Sequence, residues 1–171
     1  MAKSSDNLAQ LGFLIGRAYY SYIGMLERLL TEAGLAEHVK PGMGSLLFAL
    51  FRRDNRTIGE LAEELQLARS TMTGMVERMR RSGLILMARD AKDRRSIRLR
   101  LTPLARRLKP RCRKLADRVE RLLCEGMTPA DAELLRAALA AMIRTMNLQI
   151  STVPVSRSPA RARARAKEVL S

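Results

Sequence analysis

Between Thr57 and Thr102 the hydrophobic period of the chain changes, and few folds accommodate the result. Ile58, Leu61, Ala62 and Leu65 recur at steps of three and four, as do Met72, Met75, Val76 and Met79. Each set predicts a short amphipathic helix, and Gln66-Leu67-Ala68 is the tight connection between them. Thr57 with Glu60 three positions on makes a capping box, which satisfies two otherwise unpaired N–H groups. Gly83 stops the second helix, left-handed geometry being cheap for glycine. Then the period becomes two. Leu84 to Met87 reads as a strand, and Ile97, Leu99 and Leu101 alternate with Ser96, Arg98 and Arg100 in another. The charged tip Asp90-Ala91-Lys92-Asp93-Arg94-Arg95 joins the two strands.

Two short helices followed by a hairpin suit a winged helix-turn-helix, whose second helix enters the DNA major groove. Opposite the Met stripe lie Arg69, Ser70, Thr71, Thr73, Gly74, Glu77, Arg78 and Arg81. The short hydroxyls reach bases or phosphates, and Arg69 either bonds guanine or anchors on phosphate. In the hairpin, Arg94 and Arg95 at the tip and Arg98 on the second strand are of the type favoured in narrow minor grooves. Asp93 is out of place against DNA and is expected to hold a neighbouring arginine through a local ion pair. A solvated surface is the plain alternative for each of these side chains, and it is their shared context that favours contact.

The flanking segments predict long helices. Leu8, Leu11, Ile15, Ala18, Tyr19, Tyr22, Leu26, Leu29 and Leu30 mark one over residues 6–33 that exceeds what a small core needs. Phe13, Tyr19 and Tyr22, with Met43 and Leu47 of the helix expected after Pro41, either pack as core or interface or line a ligand cavity. Thr102-Pro103 is an N-cap with proline at N1, opening a long basic helix that Pro110 should kink. Thr128-Pro129-Ala130-Asp131 opens a last, strongly apolar helix. More apolar surface than one domain covers implies a dimer. The organisation expected is therefore dimerisation helices over 1–40 and 103–150, a DNA-binding unit over 41–102 and a basic tail over 151–171. The tail lacks a foldable apolar face; gripping phosphates and simple solubility are both open to it.

The formal net charge is +15. Residues 52–113 carry 18 basic and 7 acidic side chains, and the tail from Ser156 carries 5 basic and 1 acidic. So concentrated a positive field attracts phosphate backbones; a solubilising face or anionic lipid would also use it. One His, no paired carboxylates, no phosphate-binding loop and no nucleophile elbow argue against an enzyme. Cys112 and Cys124 lie too far apart on one helix to bridge, and neither metal nor cofactor is expected. No apolar run approaches a bilayer span and no leader pattern precedes the first helix, so a cytoplasmic location is expected.

The run LARSTMTGMVERMRRSGLILMARDAKDRRSIRLRLTPLARRL resembles the DNA-binding core of the MarR family of bacterial transcriptional regulators. The Leu-x-x-Ser-Thr-x-Thr helix start, Gly83-Leu84, the Asp-x-x-Asp-Arg-Arg wing and Leu101-Thr102 carry the resemblance. With its flanks it covers roughly residues 6–150. It implies a mainly α winged-helix homodimer of six helices with a small β-hairpin wing. It also implies a regulator, usually a repressor, of pseudo-palindromic double-stranded DNA, released by a phenolic or other aromatic ligand. On matching positions Arg69 to Thr73 and Arg78 become recognition-helix candidates, and Arg94 and Arg95 minor-groove candidates oriented by Asp93. The family commonly has an arginine where this chain has Met87, and often a basic or polar residue at Gly74. A sequence-indifferent architectural DNA binder is the competing expectation, and a pure protein-interaction module the third.

Overall fold

The computed structural model describes residues 3–90, 93 and 95–152. In chain order these form α1 (Lys3–Glu32), α2 (Gly44–Arg52), β1 (Arg56–Thr57), α3 (Ile58–Leu65), α4 (Arg69–Arg81), β2 (Ile85–Arg89), β3 (Ile97–Leu101), α5 (Pro103–Leu123) and α6 (Pro129–Thr152). The three strands make one antiparallel sheet in the order β1-β3-β2. Its hairpin is in register from Ile85 opposite Leu101 to Arg89 opposite Ile97. The two-residue β1 adds an edge that no hydrophobic period announces, and it pairs Arg56 with Leu99.

The local signals act as expected at most ends. Thr57 and Glu60 close the capping box in both directions, at 3.2 Å from the Glu60 N–H and 2.7 Å from the Thr57 N–H. Those Thr57 donors hold the Glu60 carboxyl below its ordinary range. Gly83, at φ +68°, ends α4 with the paired bonds of a Schellman turn: Leu84 N–H to Met79 O and Gly83 N–H to Arg80 O, each 3.0 Å. Thr102 caps α5 through the Ala105 N–H and also donates to the Gly83 carbonyl at 2.7 Å, locking β3 to the end of α4. One expectation shifts. Pro41 does not open α2: Gly42, at φ +81°, turns the chain out of helical geometry, and α2 starts at Gly44. Pro110 lies inside α5, which continues through it as one element at the cost of one backbone donor.

The core lies under the central unit. Leu46, Leu47 and Leu50 of α2, Leu61, Met72 and Met79, Leu84 and Leu99 meet the buried stripe of α5: Ala105, Leu108, Cys112, Leu115 and Val119. Among the described residues of α1, those of its last turns, with Leu29 and Leu30, enter this core. Much of the basic character of early α5 goes into holding helix ends. Lys109 Nζ donates to the Phe51 carbonyl at 2.7 Å and lies 5.6 Å over the Phe51 ring. The Arg111 guanidinium bonds the carbonyls of Ala33 and Gly34 that end α1. Cations at these carbonyl-rich C-termini also complement the helix dipoles.

Outside this core two helices present apolar surface to solvent. Leu11, Phe13, Leu14, Ile15, Tyr19 and Tyr20 stand out on α1, and Leu134, Leu135, Leu139, Ile143, Met146 and Leu148 on α6. Of the large apolar side chains on α6, none is buried among the described residues. Among those residues, no helix is long and apolar enough to cross a membrane.

Candidate nucleic-acid interface

Burial of Met72, Met75, Val76 and Met79 fixes which face of α4 looks outward. That face carries Arg69, Ser70, Thr71 and Thr73, all exposed. The Thr73 hydroxyl donates to the Arg69 carbonyl at 2.9 Å, so it sits against its own helix until a better partner arrives. Glu77 is the one acidic residue on α4, and Arg80 and Arg81 occupy it at 3.0 and 3.6 Å. Arg69, Arg78 and Arg95 face no carboxylate at ion-pair distance among the described residues. The outer surface of α4 is therefore a set of short donors edged by free cations.

Gly74 has a local cause. The Arg78 guanidinium folds back over it and reaches Gly42 in the turn before α2. A Cβ at Gly74 would lie 3.7 Å from Arg78 Nη1, and one at Gly42 3.6 Å from Nη2. Because 3.7 Å is an ordinary contact, Gly74→Ala should fit. It should raise stability by about 0.5–1 kcal/mol, alanine being the better helix former. Thermal unfolding should move up by about 1–4 °C. A lower transition would show that Arg78 cannot yield even to a methyl group.

The wing is held by two carboxylates with different duties. Asp90, 4% exposed, ion-pairs with Arg98 Nε and accepts the Asp93 N–H at 3.0 Å. Arg98 Nη1 also donates to the Asn55 carbonyl at 2.7 Å, tying the wing to the loop before β1. The guanidinium of Arg98, with its side chain 29% exposed, is thus shared between a buried carboxylate and a loop carbonyl. Asp93 accepts the Ser96 hydroxyl at 2.7 Å and the Arg95 N–H at 3.0 Å, and these lower its pKa. Among the described residues it shapes the tip through the backbone of Arg95; Arg94, the other neighbouring arginine, lies outside them, as does the tail beyond Thr152. Arg95 itself is exposed.

Three further anchors give little sign in the sequence. Asp54 accepts the Leu101 N–H and pairs with Arg106, each at 2.9 Å. Burial opposes its ionisation, but these donors and the Asn55 N–H outweigh it and lower its pKa. Arg56 belongs to a connection that its run of charges predicts to be exposed; it is buried and ion-pairs with Glu64, which also accepts Arg52. Arg56 first and Arg52 second hold the Glu64 carboxyl below its usual range.

The anticipated ligand residues separate. Tyr22 and Leu47 line a largely apolar cavity of about 360 Å³ between α1, α2 and α5, with Phe48, Cys112 and Val119. Lys40, Ser45 and Glu120 add polar atoms to its wall. Met43 is fully buried in the core and is not part of that wall, because the turn at Gly42 points it inward. Phe13 and Tyr19, 65% and 59% exposed, stand on α1 outside the cavity. Burial pushes the Cys112 thiol pKa up, leaving it a poor nucleophile.

Comparison with known proteins agrees with this geometry. Residues 41–97 match the MarR family model. The chain is 37% identical over 59 residues to the HTH-type transcriptional regulator YsmB of Bacillus subtilis, covering 34% of this chain and 40% of that one. It is 34% identical over 80 residues to the transcriptional activatory protein BadR of Rhodopseudomonas palustris, covering 45% of this chain and 46% of that one. The matches thus span less than half the length of either relative. In overall fold it is similar to an Escherichia coli MarR mutant complexed with operator DNA (TM-score 0.67, 18% identity, 82% of this chain and 99% of that one). It is also similar to Bordetella bronchiseptica BpsR, whose DNA binding is described as regulated by 6-hydroxynicotinic acid (TM-score 0.58, 23% identity, 80% and 98%).

Proposed function

We propose that this chain, whose residues 41–97 match the MarR family model, is a homodimeric transcriptional regulator that binds a pseudo-palindromic site in double-stranded DNA. One observation carries the reading: α4 turns a face of short hydroxyls and unpaired arginines outward, beside a wing pinned by Asp90 and Asp93. In this reading Arg69, Ser70, Thr71 and Thr73 meet the major groove, with Arg78 on phosphate or base. Arg94 and Arg95 enter the adjacent minor groove, and Arg98 and Asp93 position them. Residues 41–102 form the reading unit; 1–40 and 103–150 pair two copies through the apolar faces of α1 and α6. Half-site centres then fall about one helical turn apart, roughly 34–36 Å.

The cavity between α1, α2 and α5 supports a second element, release by an aromatic acid or phenol. Its apolar wall suits a ring, and Lys40 with the Tyr22 and Ser45 hydroxyls suits a carboxylate or phenol oxygen. The sign of regulation is proposed as repression, the family's usual mode, although BadR is described as an activator.

Selecting a duplex from a random pool and footprinting it tests the core of this. A protected dyad is expected. On that duplex Arg95→Ala should weaken binding roughly tenfold or more, a loss of about 1.5–3 kcal/mol for a charged contact. Sedimentation should show the same assembly as the parent. Unchanged affinity would remove Arg95 from the interface, and selection of no preferred sequence would favour the architectural reading.

A further inference from the structure

The outward-facing helix α4 starts without a cap of its own. Ala68, its N-cap, offers no side-chain bond to the turn it opens. Just before it Gln66 closes α3 in the left-handed region, at φ +50°. That conformation is uncommon for a residue with a side chain and persists where the surroundings hold it. Local bonds hold one side of the turn: the Leu67 N–H donates to the Ala62 carbonyl and the Gln66 N–H to that of Glu63, each at 3.1 Å. The Gln66 carbonyl is held from far along the chain. Asn147 Nδ2 of α6, 81 residues away, donates to it at 2.6 Å. Around this bond Arg144, Asn147 and Leu148 face Ala62, Gln66, Leu67 and Ala68 across a cleft of about 390 Å³, so the Asn147 amide bridges a loose junction.

The same helix carries part of the apolar face assigned above to pairing. Arg136 ties the start of α6 to Glu120 of α5 at 2.6 Å, and Leu139 and Ile143 stand half exposed beyond that tie. Leu139, Ile143 and Asn147 follow one another at steps of four, which sets them along one side of the helix. A rotation or slide of α6 that repacks the first two therefore carries the third with it. Interface helices shift by about 1–2 Å in switching proteins, enough to take a 2.6 Å contact out of hydrogen-bond range.

We propose that Asn147 is a positioning residue through which the pairing of two copies sets the pose of α4. By holding the Gln66 carbonyl it fixes the turn from which Arg69, Ser70, Thr71 and Thr73 are presented. The inference rests on the DNA-binding reading above and adds regulation to it: packing at the dimer face, carried along α6, holds or releases the reading position of α4. Base-edge bonds need donors placed within about half an ångström, whereas phosphate contacts carry no sequence information and tolerate a displaced helix. The Asn147 bond therefore acts on selectivity more than on general attraction for DNA.

The test compares the full chain with Asn147→Ala and Asn147→Gln. Alanine removes the donor while favouring the helix, and glutamine keeps an amide N–H. Without DNA, the Leu67 and Met72 amides, bonded to the Ala62 and Ala68 carbonyls on either side of the turn, should exchange about fivefold faster in Asn147→Ala. Its thermal unfolding and its mass in sedimentation should match the parent. On the selected duplex this variant should lose about three- to tenfold in affinity, and on a scrambled duplex of equal length less than about twofold. Asn147→Gln should recover about half of that loss or more on a logarithmic scale. Unchanged exchange at Leu67 and Met72 overturns the proposal. An equal loss on both duplexes overturns it too, since the bond would then serve the fold alone. Faster exchange in a chain that prefers neither duplex would mean that the DNA-binding reading has failed, and this regulation with it.

Discussion

Replacing Leu139 and Ile143 together by glutamate should turn the proposed dimer into a monomer in sedimentation equilibrium. Both side chains are about half exposed on α6, at 46% and 49%, on a face that α5 does not cover. Completing their burial against a second copy is worth about 0.8–1.5 kcal/mol each, half the full-burial value. Two residues in two copies then contribute about 3–6 kcal/mol, or roughly a hundredfold to ten-thousandfold in the dissociation constant. Glutamate adds the cost of desolvating a charge. Because both side chains point away from the core, the helical circular dichroism of the monomer should stay near that of the parent. Affinity for the full dyad should fall with dimerisation. An unchanged mass at low micromolar concentration would mean that another surface joins the copies.

The second large effect is expected at Asp90. Its carboxylate is buried against Arg98 and accepts the N–H of Asp93, so Asp90→Ala leaves an uncompensated guanidinium beside the sheet. Breaking a fully buried pair costs about 3–5 kcal/mol; with Arg98 partly exposed, about 2–3 kcal/mol is the expectation in urea unfolding. DNA affinity should fall as well, because Arg95 loses the frame that aims it. Arg98→Ala and the double variant complete a cycle, and a coupling of at least about 1 kcal/mol is expected for groups in direct contact. Additive effects would show that the two side chains stabilise the wing independently.

The elements are legible in the sequence where periodicity, caps and glycines agree. The capping box at Thr57, the stop at Gly83 and the Thr102-Pro103 start are each determined by neighbours within four residues. The Met stripe of α4 tells the core from the outward face for the same reason. Long-range pairings are not legible. Asp54 is 47 residues from the Leu101 N–H it accepts, and Arg98 is 43 from the Asn55 carbonyl. A list of charges therefore does not tell a cation that ties loops together from one free to meet phosphate. Arg98, Lys109 and Arg111 are of the first kind, and Arg69 and Arg95 of the second. The ligand-cavity residues divide on a similar point: spacing places Phe13, Tyr19 and Tyr22 on one helix, but only contact with α2 and α5 selects Tyr22.

The bonds from Asp54 to β3 and α5, with Lys109 on the end of α2, make the reading unit and the first half of α5 one stiff piece. α5 has 21 residues, about 31 Å of helix. In the proposed dimer it works as a lever. A tilt of about 5° at one end displaces the other by nearly 3 Å, about half the pitch of an α-helix. The distance between the two recognition helices is then governed by an angle. A ligand wedged between α1, α2 and α5 that alters this angle slightly would put the two heads out of step with the turn of the duplex.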